Sequence, residues 1–135
     1  MENFEAIRDH VLGQFRLTAN DPFMLCIELS LQNGQRHQSI FLSEMEDEDG
    51  RRFLRVSTPV APMARLDPHK ALEFNWQSQV GYLACTELEG HPFLHLCETR
   101  PYSSLSAGEV DRLILELGGL GDRIERMLSN KGVGP

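Results

Sequence analysis

Basic side chains are in short supply: 13 Lys and Arg stand against 20 Asp and Glu, a formal net charge of −7. A surface of that sign repels a phosphate backbone unless its cations cluster. Arg51, Arg52 and Arg55 form the single local basic group and are flanked by acidic residues, which argues against nucleic-acid binding. Cysteine is scarce as well. Cys26, Cys85 and Cys97 are odd in number, far apart and outside any C-x-x-C or Cys/His spacing, so neither a disulfide framework nor a zinc knuckle is supported, and a reducing compartment fits. No stretch approaches the roughly 18 apolar residues of a membrane span. Met1-Glu2-Asn3-Phe4 has neither the basic nor the apolar region of a secretory leader, so the expected location is the cytoplasm.

A catalytic set is missing too. The carboxylates fall in turns and on helix faces, with no pair marked out in an apolar cleft. Ser43, Ser57, Ser103, Ser104 and Ser106 lack a nucleophile-elbow glycine frame. Gly118-Gly119-Leu120-Gly121 lacks the preceding strand and the lysine of a phosphate-binding loop, and reads as a weak point in a helix. The expectation is a protein that is not an enzyme, with no catalytic residue, no cofactor and no metal. Glu44 to Asp49, the longest acidic run, reads as a solvated turn, and an acidic surface suits a partner with basic segments.

What is present is a regular alternation of helix and strand signals. A chain of 135 residues fits one domain, 1–135, burying roughly 65–70% of its unfolded surface. Phe4, Ile7, Val11, Leu12 and Phe15 follow the helical period and predict an amphipathic helix near 2–16. Leu25, Ile27, Leu29 and Leu31 alternate with Cys26, Glu28 and Ser30, the period of a strand buried on one face. Asn33-Gly34 supplies a type I′ hairpin whose two-residue loop sets Ile27 opposite Ile40 and Leu25 opposite Leu42. For the next hairpin a two-residue loop would turn Leu54 and Val56 to the wrong face. A three-residue loop of Glu48, Asp49 and Gly50, with a bulge at the glycine, pairs Leu42 with Val56 instead.

Ser57 to Leu66, with Pro59 and Pro62, reads as a crossover ending at Asp67-Pro68, an N-cap followed by an N1 proline, and a short helix to about Asn75 should follow. Val80–Leu88 and Pro92–Glu98 are strand-like around Glu89-Gly90, a loop that pairs Tyr82 with Cys97 and Ala84 with His95. Ser106-x-x-Glu109 opens a closing helix, with a bend expected near Leu120 and fraying over 131–135. The expected fold class is α+β in the order αβββαββα, an antiparallel sheet packed by helices.

His91, His95 and Cys97 are close in sequence and could suggest a metal or a cysteine nucleophile, with Cys85 on the neighbouring strand. In the register above, Cys85 faces Leu94 and points away from His95 and Cys97, which argues against a shared site. A concave pocket holding His95 and Cys97 together would favour a small-molecule-binding or enzymatic domain. Phe74, Trp76 and Tyr82 place three aromatics in nine residues, either as core or as a subunit contact. Phe41 falls on the face opposite Ile40 and Leu42, and with Met24 and Phe53 could form a partner-binding patch.

The element order, size, acidity and lack of a catalytic set together resemble a type III secretion chaperone of the Tir-chaperone, CesT-like class. The match is closest from Leu54-Arg55-Val56-Ser57-Thr58-Pro59-Val60 through Ala71-Leu72-Glu73-Phe74-Asn75 to Gly81-Tyr82-Leu83, with Asp122, Ile124 and Leu128 fitting the closing helix. YbjN-like regulators share the fold, and a polar surface at Met24, Phe41 and Phe53 would favour a regulator or adaptor binding a folded partner. The resemblance implies a homodimer built through Phe74, Trp76, Val80, Tyr82 and Ala84. It also implies a secreted effector as partner, its N-terminal segment held extended in apolar grooves and by strand addition. The groove candidates are Phe4, Ile7, Phe15, Met24, Phe41 and Phe53. Trp76 departs from the family pattern, where a smaller aliphatic residue is expected.

Overall fold

The computed structural model describes residues 1–133, and the side chains of 1–129. Helix α1 spans Phe4–Leu12 and is capped by Asn3, whose side chain accepts from the Ala6 N–H at 2.9 Å. It is shorter than the apolar spacing predicts because Gly13 caps it and the chain turns back, with the Phe15 N–H bonding Val11 at 2.9 Å. Six antiparallel strands follow in two groups: β1 (Leu17–Asp21), β2 (Met24–Leu31), β3 (Arg36–Glu46) and β4 (Arg52–Pro62), then β5 (Tyr82–Leu88) and β6 (His91–Pro101). Helix α2 (Pro68–Gln77) lies between the groups in sequence, and α3 (Ala107–Val133) closes the chain. The sheet order is β1-β2-β3-β4-β6-β5. The α+β class is as the sequence implies, with β1 as an added strand. Thr18-Ala19-Asn20-Asp21 has no apolar alternation to announce it, and it pairs along β2 through a register irregularity between Leu17 and Ala19.

The hairpin registers follow from turn chemistry. Ile27 pairs with Ile40 and Leu25 with Leu42, around a turn where Asn33 and Gly34 both have positive φ, 57° and 84°. Leu42 pairs with Val56, and Gly50 sits at φ 80° after the turn in which its N–H bonds Asp47 at 3.1 Å. Tyr82 pairs with Cys97 and Ala84 with His95. These registers send Leu25, Ile27, Ile40, Leu42, Leu54, Val56, Leu94 and Leu96 to one face. There they are buried together with Phe4, Ile7 and Val11 of α1 and Val110, Leu113, Ile114 and Leu117 of α3. Both terminal helices therefore cover the same side of the sheet, leaving the other side without a helical layer over its centre.

One expectation about the sheet is corrected. Ser57–Pro62 is not a crossover: β4 runs through it and pairs with β6 down to Pro62, with an irregularity between Pro59 and Ala61. The prolines are tolerated because the ladder to β3 has already ended at Ser57, and side chains take over. Thr58 Oγ1 donates to the Ser39 carbonyl at 2.7 Å, and Gln38 Nε2 donates to the Pro59 carbonyl at 2.9 Å. Helix α3 runs through Leu120 without interruption. It continues as one helix, because Gly118 and Gly121 are where it presses closest to the sheet: a Cβ on Gly118 would stand 2.4 Å from Leu29 Cδ2, and one on Gly121 2.6 Å from Thr58 Cγ2. Fraying is expected from 131, but α3 continues to Val133; 134 and 135 lie outside the described residues.

Candidate functional site

The uncovered face of the sheet is concave, and its residues are set by the same registers that build the core. One row crosses five strands as Cys26, Phe41, Ser57, Cys97 and Tyr82; beside it run Met24, Ser43, Arg55 and Thr99 on one side and Pro59, His95 and Ala84 on the other. Most of them line a trough of about 520 Å³ in which Met24, Phe41, Tyr82 and Ala84 provide apolar walls and Ser43, Ser57, Arg55, His95 and Cys97 the floor, with Cys85 to Leu88 extending its β5 side. Tyr82 is held by its hydroxyl, 2.7 Å from Thr99 Oγ1.

His95 and Cys97 do share this concavity, both only 5% exposed. Their chemistry is not that of a nucleophilic pair. Burial pushes the Cys97 thiol up to about 11, with Arg55 opposing the rise and Glu98 adding to it, so the sulfur keeps its proton at neutral pH. Burial, and then the Arg55 charge, lowers the His95 imidazole from its ordinary value and keeps it neutral. Cys85 pairs with Leu94 rather than with His95 or Cys97, and it is exposed where the β5 edge borders the trough. No three metal-ligating side chains gather among the described residues. Two buried floor atoms, Arg55 Nε and His95 Nε2, have no hydrogen-bond partner.

The residues singled out in the sequence divide among several places. Phe4 and Ile7 are core residues, closed off by α3 and the sheet, and in this fold offer no groove surface. Phe15 is half-buried against the same core. Met24 and Phe41 open into the trough, whereas Phe53 lies at the start of β4 outside it, with the Arg51 guanidinium 5.7 Å from its ring centre. Among the subunit-contact candidates, Phe74 turns inward to a groove with Leu66, Leu83, Leu120 and Ile124. Trp76 is 90% exposed, with Leu72 also exposed one turn before it on α2. Val80 borders a shallow hollow with Leu31, Leu115 and Leu120, and Tyr82 and Ala84 belong to the trough.

Reading one hairpin at a time missed Arg55 and Ser57, although the alternation Phe53, Arg55, Ser57 against Leu54, Val56 already placed them on Phe41's face. It also missed Asn75. This side chain lies against β5, the sheet's outer strand, where its Oδ1 accepts from the Leu83 N–H at 2.7 Å and its Nδ2 donates to the Leu83 carbonyl at 3.1 Å. One amide therefore occupies both ladder groups of that edge residue. Among the described residues no further strand covers β1, the opposite edge of the sheet.

No family model matches the chain, and no curated protein matches it. Among solved structures, the ExsC–ExsE complex contains a chain that is 16% identical, with a TM-score of 0.66 over 95% of this chain and 97% of that one. The HopA1–SchA chaperone–effector complex gives 17% identity and a TM-score of 0.60 over 87% and 88%. The Yersinia pestis type III secretion chaperone SycH, bound to a stable fragment of YscM2, gives 10% and 0.54 over 89% and 97%. Sequence identities this low establish the fold and nothing finer: the chain has the fold of type III secretion chaperones along nearly its whole length.

Proposed function

We propose that this protein is a cytoplasmic chaperone of the CesT-like class that binds the N-terminal segment of a type III secreted effector and keeps it export-competent without catalysis. The reading is carried by one observation: a chaperone-fold sheet whose uncovered face forms a trough with apolar walls at Met24, Phe41 and Tyr82. A polar surface at Met24, Phe41 and Phe53 would favour a YbjN-like regulator; Met24 and Phe41 supply apolar wall instead, while Phe53 lies outside the trough. Strand addition falls to the β1 edge, since Asn75 already occupies Leu83 on β5. Phe15, Met24 and Phe41 remain in the binding set; Phe4 and Ile7 leave it as core, and Phe53 stands at its margin.

The protein also forms a homodimer in this proposal, through the exposed Leu72 and Trp76 of α2 and the neighbouring Val80. A nine-tenths exposed indole is a large apolar area to leave in water, and rigid aromatic rings are favoured as interface anchors. Sedimentation of wild type at the dimer mass and of Trp76→Glu at the monomer mass is the expected result. The function is tested by affinity capture from the native cytosol followed by limited proteolysis. The expected result is a larger protein held through a protected, otherwise disordered N-terminal segment. Recovery of folded partners alone would overturn the chaperone reading in favour of the regulator.

A further inference from the structure

The trough is cationic in the middle, with apolar walls at Met24 and Phe41 on one side and at Tyr82 and Ala84 on the other, the latter continuing into Thr86 and Glu87 along β5. Arg55 sits on β4, the central strand of the five it crosses, and forms no ion pair among the described residues. Its Nε and the nearby His95 Nε2 are buried without partners. Of the acidic side chains, only exposed Glu87 borders the trough, far along β5; Glu98 follows Cys97 but turns to the other face, where it accepts from the Gly81 N–H and pairs with Arg100. A guanidinium drawn partly out of water, with unused donors and no counter-charge, is a defect in the free protein that an incoming carboxylate removes.

The length of the trough specifies more. Four inter-strand steps separate β2 from β5, about 19 Å at ~4.8 Å each, which matches roughly six residues of extended chain at ~3.3 Å per residue. A chain laid across the strands with one side chain over Arg55 would put its residues two positions away about 6.6 Å to either side. One of these reaches the Met24–Phe41 wall and the other the Tyr82–Ala84 wall.

We propose that the trough recognises a partner segment crossing the strands, with Asp or Glu over Arg55 and an apolar residue two positions before and after it. This rests on the segment-binding reading above and adds the chemistry of the segment. The test uses acetylated peptide amides of sequence Ser-Leu-Ser-Glu-Ser-Leu-Ser and its Gln counterpart, titrated into the full chain and followed by backbone amide shifts in NMR. Wild type is expected to bind the Glu peptide on the order of tenfold more tightly than the Gln peptide, with shifts centred on β3, β4 and β6. Arg55→Met removes the preference while leaving Gln-peptide binding in place, and Phe41→Ser weakens both. Equal binding of the two peptides by wild type, which needs no variant to fold, overturns the proposal. So does Tyr82→Glu sedimenting as a monomer from a dimeric wild type, because the trough would then be a contact between copies. A captured effector whose protected segment contains no acidic residue overturns the acidic anchor while leaving the chaperone reading intact.

Discussion

Glycine to alanine at two neighbouring positions of α3 separates helix propensity from helix docking. Gly119 and Gly121 both lie inside the helix, so alanine gains about 0.8–1 kcal/mol of propensity at either. Their surroundings differ. A Cβ at Gly119 meets nothing within 4 Å, whereas at Gly121 it would stand 2.6 Å from Thr58 Cγ2. Thr58 cannot rotate away cheaply: it is fully buried, β-branched, and its hydroxyl both donates to the Ser39 carbonyl at 2.7 Å and accepts from Gln38 Nε2 at 2.8 Å. Relieving the contact means lifting the helix or losing those bonds, an overpacking cost of about 1–3 kcal/mol. Because the propensity gain is common to both variants, their difference isolates the steric cost. For 135 residues, 1 kcal/mol corresponds to about 3–4 °C in Tm. Gly119→Ala should therefore melt about 3 °C above wild type, and Gly121→Ala roughly 4–10 °C below Gly119→Ala. Thermal and urea unfolding followed by circular dichroism measures both. A difference of less than about 0.5 kcal/mol would refute the close approach of α3 to β4 as the reason for glycine there.

Asp122 is only 3% exposed and receives Arg36 at 2.5 Å and Arg126 at 3.2 Å, tying the start of β3 to α3; Asp122→Ala should cost about 1–3 kcal/mol in urea unfolding, since both arginines can turn to water. Asn75→Ala frees the Leu83 N–H and carbonyl at the sheet edge, so the Leu83 amide should exchange with solvent much faster and self-association should rise with concentration. Cys97 titrates near 11 in the fold against an ordinary 9.0. Between those pH values the unfolded chain gives up the proton while the native state keeps it, so stability is intact below about pH 9 and falls from there to about pH 11. The loss is roughly 2–3 kcal/mol, and Cys97→Ala should lack it when unfolding is followed at pH 8 and pH 11. At pH 8, exposed Cys85 should react with a thiol reagent well before buried Cys97.

The hairpins were legible in the chain itself. Asn33-Gly34, Asp49-Gly50 and Glu89-Gly90 each combine a residue suited to positive φ with flanking alternation, and a one-residue slip would have turned a whole apolar row outward. That local constraint determined three strand pairings, the core face and the α+β class. The caps at Asp67 and Ser106 were equally local, a side-chain oxygen reaching an N–H two or three residues ahead. Other features depended on what distant segments did. β1 exists because β2 offers it an edge, and β4 continues past Pro59 because Gln38 and Thr58 replace the missing ladder bonds. Gly118 and Gly121 look like a helix weakness until the sheet beneath them is in place.

The candidate site divides in the same way. Alternation alone determined which residues face away from the core, Phe41 and Tyr82 among them. Only the tertiary structure decided that Phe4 and Ile7 are closed over and that Trp76 stands in solvent. It also brought the outward rows of five strands together around Arg55, whose Nε has no partner among the described residues. Periodicity reports which side of an element a residue occupies. Whether that side meets protein or water depends on the packing of elements far apart in sequence, and no local pattern encodes it.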